Sequence, residues 1–260
     1  HHGLKSSGEA ALSTWDAGMD MYIYGKLGNL TMTKEGINVL MTNLTGKVPP
    51  ILQRLDYIRF NGEAAGYLHD LTLTGLFHTG AGRVKTDVMM SIDEQSMSST
   101  YSGREACEDL DLGKLLNQEK KFGKVDFNVE LKGFNYKNRY PESYIKGIIS
   151  SFEYSQYQYE NIMLDGVYKV GGFNGRLSMD DANGSVQIDG NFNVAKTIPD
   201  FNLKASVKNL RPHDLHLSDK YENASISLGL TADYTGKSID DMNGRISLDS
   251  LQLTAPEVGG

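Results

Sequence analysis

Along residues 123–133, GKVDFNVELKG, apolar and polar positions alternate with a period of two. Val125, Phe127, Val129 and Leu131 share one side; Asp126, Asn128, Glu130 and Lys132 share the other. Such alternation marks a strand buried on one face only. The same pattern recurs through most of the chain. DMYIYGKL sets Met21, Ile23, Gly25 and Leu27 on one face, and YIRFNGEAAGYL sets Ile58, Phe60, Gly62, Ala64, Gly66 and Leu68 there. LTLTGLF and RVKTDVMMSI follow. NIMLDGVYKV aligns Ile162, Leu164, Gly166, Tyr168 and Val170, FNGRLSM aligns Phe173, Gly175 and Leu177, and SVQIDGNFNV aligns Val186, Ile188, Gly190 and Phe192. SISLGLTADY adds Ile226, Leu228 and Leu230, with FNLKASV before it and GRISLDSLQL after it. The pattern predicts an all-β protein with at least half of its residues in strands.

Glycine returns on the apolar side of these strands, at Gly25, Gly62, Gly75, Gly166, Gly175 and Gly190. A glycine inside a strand marks a bulge, a bend or a close approach, and one per strand on a common face suits a strongly curved sheet. Asn183-Gly184 predicts a hairpin turn, with weaker turn signals at 80–83 and 240–245. Helices are expected only as a turn after Pro49-Pro50 and as a short segment near Leu110–Leu116. Two similar connectors, Leu110–Leu116 and Leu210–Leu217, precede repeats of one plan: alternating strand, polar spacer, new strand. The expected organisation is a tag remnant or disordered leader over 1–13, because the chain opens on His1-His2 and small polar residues. One elongated β-groove follows over 14–256, in loose units 14–116, 117–217 and 218–256, with a tail over 257–260.

Composition narrows the function. A net charge of −7 opposes a nucleic-acid partner, which calls for a basic face. The single cysteine, Cys107, excludes an internal disulfide framework. No stretch reaches the ~18–20 apolar residues of a membrane span.

The candidate chemistry is sparse. His213, Asp214 and His216 stand close in RPHDLHL, but no partner cluster completes a metal site. Asp180-Asp181 and Asp240-Asp241 adjoin turns, and turn chemistry accounts for them. Tyr154, Tyr157 and Tyr159 form a cross-strand aromatic ladder before they form a sugar-binding face. Cys107, in EACEDLD, is expected to have a raised thiol pKa through its acidic neighbours. No nucleophile–base or phosphate-loop signature is present, so neither enzymatic activity nor a cofactor is expected.

The stretch YQYENIMLDGVYKVGGFNGRLSMDDANGSVQIDGNFNV (157–194), followed by FNLKASVKNLRPHDLHL (201–217), resembles the TamB family as found in Bacteroidetes. FGKVDFNVELKG, LGKLL and RFNGEAAGYLHDL fit the same likeness, which extends over roughly residues 12–256. TamB-like proteins belong with the AsmA-like, bridge-like lipid-transfer group. The resemblance implies an elongated, mostly antiparallel sheet, folded into a taco-like groove with an apolar inner face. It implies an interior segment of a periplasmic bridge anchored in the inner membrane. That bridge would carry phospholipid acyl chains, support outer-membrane β-barrel assembly, or both, meeting the barrel-assembly protein through regions absent from this chain. On this view the groove is lined by Val125, Phe127, Val129, Leu131, Ile162, Leu164, Phe173, Leu177, Val186, Ile188, Phe192, Ile226, Leu228 and Leu230. The triplet Asp249-Ser250-Leu251 resembles a Bacteroidetes O-glycosylation acceptor, with Ser250 as the acceptor. The alternative expectation is a closed β-sandwich or solenoid acting as a binding or adhesion module.

Overall fold

A computed structural model describes residues 4–13, 22–67, 69–93, 95–96, 98–136, 142–169, 171–194, 196–220, 222–237, 241 and 243–254. Met21, Leu68, Val170, Asp240 and the expected tail lie outside the described residues. Strands dominate the described residues and helices are few, so the all-β expectation holds. The strands are β1 (Leu4–Ser13), β2 (Tyr22–Thr33), β3 (Tyr57–Tyr67), β4 (Asp70–Thr79), β5 (Gly82–Asp93), β6 (Ser98–Asp111), β7 (Phe122–Tyr136), β8 (Glu142–Tyr154), β9 (Tyr157–Lys169), β10 (Gly172–Asp181), β11 (Gly184–Asn193), β12 (Asp200–Leu210), β13 (Ser225–Thr235) and β14 (Asn243–Thr254). They form one antiparallel sheet ordered as in the sequence. The sheet is not closed, consistent with a curved, groove-like sheet. An unclosed sheet is not the closed β-sandwich of the alternative expectation.

Two compact units divide the chain, His1–Arg139 and Tyr140–Gly260. The boundaries expected near 116 and 217 fall inside these units, each at the end of a connector. The leader also differs from expectation. Leu4–Ser13 form β1, paired with β2 from Leu4↔Met32 to Ser13↔Tyr22. A peripheral strand can be held by its main-chain ladder, and small polar residues do not prevent that.

Among its described residues, unit 1 carries three helices. The helix α1 (Lys34–Thr45) was not foreseen, although its ends are well signalled. Thr33 caps it by accepting a hydrogen bond from the Gly36 N–H, and Gly46 closes it in the left-handed conformation at φ 72°, as glycine readily does. Gly36, Asn38, Asn43 and two threonines weaken its helix signal. The helices α2 (Pro50–Gln53) and α3 (Leu112–Leu116) lie where expected. Pro50 stands in the first turn of α2, and Asp111 caps α3 by accepting from the Lys114 N–H at 2.8 Å. Arg54, after α2, donates to the Leu115 carbonyl of α3.

Register is fixed by charge on the outer face. In unit 1, Lys26, Glu63, Thr74, Asp87, Arg104 and Glu130 are successive cross-strand partners from β2 to β7. In unit 2, Lys146, Asp165, Arg176, Asp189 and Lys204 do the same from β8 to β12. Lys146–Asp165 closes at 3.1 Å and Arg176–Asp189 at 2.8 Å. Exposed pairs add little stability. A slip of one residue, however, would turn each ladder into the apolar face, so alternating charge specifies the pairing.

Candidate functional site: the apolar face

The side chains opposite the charge ladders make continuous apolar rows. In unit 2, Leu164, Leu177, Ile188, Ala205, Leu230 and Leu248 are successive partners from β9 to β14. Ile162, Met179, Val186, Val207, Leu228 and Leu251 form the next row, and Phe173, Phe192, Phe201 and Tyr234 form an aromatic one. Within the aromatic row, the Phe173 and Phe192 rings lie 6.2 Å apart, and Phe201 stacks on Tyr234 at 4.7 Å. Ile226 stands between Leu210 and Leu253. All ten candidate lining residues of unit 2 thus share one face. The other four, Val125, Phe127, Val129 and Leu131, lie along β7 in unit 1, opposite Leu110, Cys107, Glu105 and Gly103.

The glycines occupy these rows side by side. Gly166, Gly175 and Gly190 are mutual neighbours across β9, β10 and β11, as Gly62 and Gly75 are across β3 and β4. A Cβ on Gly175 would lie 2.4 Å from the Gly166 Cα, and one on Gly166 would lie 2.6 Å from the Phe173 ring. Removing the side chains lets strands bend closely and lets a neighbouring aromatic ring cover the backbone.

Burial differs in degree between the two units, and in both of them large face residues stay half-buried, in unit 1 Val84, Val88, Phe127 and Leu131. In unit 1, Phe60, Ala64, Thr86, Cys107, Val125 and Val129 are buried. Ile37 of α1, Leu55 after α2 and Leu115 of α3 are buried with them. Among the described residues of unit 2, the face residues that reach that level, glycines apart, are the small or terminal Ala205, Ala232 and Tyr159. Leu164, Leu177, Val186, Ile188, Leu228 and Leu230 remain half-buried, and Phe192 is 36% exposed. On β14, Ile246, Leu248, Leu251 and Leu253 are 49–65% exposed. No helix lies in unit 2 among the described residues.

Each unit carries an equivalent connector. In β6, Asp109 takes a left-handed conformation at φ 55°, its N–H donates to Asp126 Oδ1, and the register shifts before Leu110. In β12, Asn209 does the same at φ 49°, its N–H donates to Ser227 Oγ, and the register shifts before Leu210. Two residues later, the N–H of Asp111 or of Arg211 binds a carbonyl of an earlier hairpin turn, that of Ala81 or of Asn183. Buried Leu115 or Leu215 follows. Tyr159 donates to the Leu215 carbonyl at 2.7 Å, and Tyr157 donates to Asp181 Oδ1 at 2.5 Å. Burial, together with the Asp181 carboxylate, pushes the Tyr157 phenol up to about 12. Both tyrosine hydroxyls are thus engaged within the fold rather than offered to a ligand.

The remaining candidates are dispersed. His216 Nδ1 lies 2.9 Å from the Ser155 carbonyl, and His213 faces Asp214 and Glu222 at 3.7 and 3.9 Å. Among the described residues, no three His, Cys, Asp or Glu side chains converge. Asp181 serves the Ala182–Asn183 turn, accepting from the Asn183 N–H. The turn therefore falls one residue earlier than the Asn183-Gly184 expected. Cys107 is buried and donates to the Val125 carbonyl at 3.3 Å. Burial, first, and then the nearby carboxylates push its thiol up to about 11. The acidic context seen in the sequence is thus the lesser cause. Ser250 is exposed on β14, opposite Gly229.

Comparison with protein-family models, with curated proteins and with solved structures gave no match. The face is therefore interpreted from its own chemistry.

Proposed function

We propose that the apolar face accommodates hydrocarbon. On this proposal the chain is a non-enzymatic segment of an envelope bridge that carries phospholipid acyl chains across the periplasm, in support of lipid transport, outer-membrane β-barrel assembly or both. The observation that carries the proposal is the state of unit 2. Apolar rows cross its strands, yet their large side chains stay half-exposed instead of becoming a closed core. Exposed apolar surface on this scale marks an interaction site. A row of Leu, Ile and Val without polar anchors suits a ligand recognised by its hydrocarbon rather than by directed hydrogen bonds. The resemblance of residues 157–217 to TamB supports the same conclusion, with the periplasm as its setting.

The test is photo-crosslinking in a Gram-negative envelope, with a photoreactive residue at Ile188 or Leu177 on the apolar face and at Arg176 on the charged face. Phospholipid adducts are expected from Ile188 and Leu177 and not from Arg176. Equal labelling from both faces, or none from the apolar face, removes the proposal.

A further inference from the structure

One polar pair interrupts the apolar face of unit 1. The residues facing inward are Val84, Thr86 and Val88 on β5, Gly103, Glu105 and Cys107 on β6, and Phe127, Val129 and Leu131 on β7. Thr86 and Glu105 are cross-strand partners, and Val129 stands opposite Glu105 on its other side. Thr86 is only 2% exposed, and its hydroxyl donates to Glu105 Oε1 at 2.5 Å. Glu105 itself is half-buried, and among the described residues no cation pairs with it. Neither neighbouring strand brings a charge to this face. The other titratable group beside it is the Cys107 thiol, which stays neutral below about pH 11.

A half-buried carboxylate tolerates its charge because water still reaches it. Hydrocarbon laid over it removes that water, and a carboxylate without a cation then gains a proton rather than remain charged. We infer that hydrocarbon binding on the face of unit 1 is coupled to uptake of one proton by Glu105. The proton comes from solvent, the carboxylate becomes a carboxylic acid, and the Thr86 hydroxyl goes on donating to its carbonyl oxygen. This rests on the lipid-accommodating function proposed above and adds its regulation. By linkage, affinity falls as pH rises, by at most about tenfold per pH unit. The fall spans the window between the Glu105 pKa on the open face and its higher value under hydrocarbon. Burial already raises the open-face value above the ordinary glutamate range, against the opposing effect of the Thr86 hydrogen bond.

The experiment uses the full chain and a phosphatidylcholine with a diazirine in its acyl chain. Its headgroup does not change charge between about pH 4 and pH 8, the range that brackets a raised glutamate. Adducts are mapped separately to β5–β7 and to β9–β13. Capture on β5–β7 is expected to fall with rising pH, while capture on β9–β13 stays level. Glu105→Gln should hold β5–β7 at its low-pH level throughout. Thr86→Val, which removes the hydrogen bond favouring the carboxylate, should move the fall to higher pH. Capture on β5–β7 that is level in the unaltered protein, that keeps its slope in Glu105→Gln, or that rises with pH as attraction for a cationic headgroup would dictate, overturns the inference alone. Absence of capture on both units at every pH removes the lipid-binding proposal itself, and this inference with it.

Discussion

A single aspartate placed on the apolar face should have unequal consequences in the two units. Val129 is 8% exposed and lies opposite Glu105. Val129→Asp removes about 1.5–3 kcal/mol of apolar burial. It also sets a second carboxylate across a strand pair, where Cβ atoms lie about 5 Å apart. At an effective dielectric near 20, two such charges repel by about 3 kcal/mol, and protonating one of them only moves the penalty into a pKa. The expected loss is about 4–6 kcal/mol, a large part of an ordinary domain's stability. Ile188 is half-buried, and its cross-strand neighbours Leu177 and Ala205 carry no charge. Water can follow the new carboxylate there, so Ile188→Asp should cost about 1–3 kcal/mol, mostly lost apolar contact. Hydrogen exchange read separately on β7 and β11 measures each unit in its own strands. Adding Glu105→Gln to Val129→Asp should recover most of the 3 kcal/mol repulsion, since the two sites are in contact. If Ile188→Asp unfolds β8–β14 as completely as Val129→Asp unfolds β1–β7, the face of unit 2 is a packed core, and the reasoning about an accessible groove fails.

Three further outcomes can be checked. Leu215→Ala should destabilise unit 2 by about 2–5 kcal/mol, and Tyr159→Phe, which leaves the Leu215 carbonyl without its donor, by about 1–3 kcal/mol; thermal or urea unfolding measures both. Gly175→Val should prevent stable folding of β9–β11, because its Cβ would lie 2.3 Å from the Asp165 carbonyl oxygen and 2.4 Å from the Gly166 Cα; Gly229→Ala, whose nearest obstacle is Ser250 Oγ at 3.2 Å, should be tolerated in the same circular-dichroism melt. In the absence of lipid, unit 1 should lose stability as pH rises from the unfolded glutamate value through the raised Glu105 pKa, because a raised carboxyl pKa stabilises the fold only while the proton is bound; Glu105→Gln should flatten that part of the urea-midpoint profile.

The strands were legible because their apolar and polar positions alternate so regularly, and because register then follows from keeping one face dry. GKVDFNVELKG and SVQIDGNFNV declared their inward residues without ambiguity, and the glycine positions foretold the close approach at Gly166, Gly175 and Gly190. The expected connectors at 110–116 and 210–217 proved to be equivalent parts, with Leu110 matched by Leu210 and Leu115 by Leu215. Other features depended on information that periodicity does not carry. The helix α1 was hidden because its interior is weak and only its caps are strong. Strand β1 escaped because ladder pairing can hold a peripheral strand of small residues. The Ser155–Gln156 turn, with φ of 50° and 65°, uses the left-handed region at two residues that do not advertise it. The deeper burial of part of the face in unit 1, beside half-buried residues such as Val84 and Phe127, was likewise invisible, because the same alternation serves both.

That difference follows from where the chain spends its helices and connectors. A sheet with one apolar face must cover it with a second layer or leave it accessible. Unit 1 brings α1 to β2 and β3 and α3 to β7, with α2 against both helices, and Ile37, Leu55 and Leu115 are buried. Unit 2, among its described residues, brings only the turn at 211–217, whose Leu215 is fully buried beneath the Tyr159 hydrogen bond. In both units the left-handed residue before the leucine ends the regular ladder, so the connector turns at a fixed place. Stability in unit 2 is therefore expected to concentrate around Leu215, Tyr157 and Tyr159. The rows through Leu177, Ile188 and Leu230 contribute less to it, which is the property the proposed function uses. A fold built in this way can lengthen by repeating strands without enlarging a core, because each new strand is held by its neighbour's ladder and its own outer charges. On the proposed function the repeated amphipathic strand has a physical reason: it extends an apolar surface while keeping each increment paired, in register and soluble on its other side.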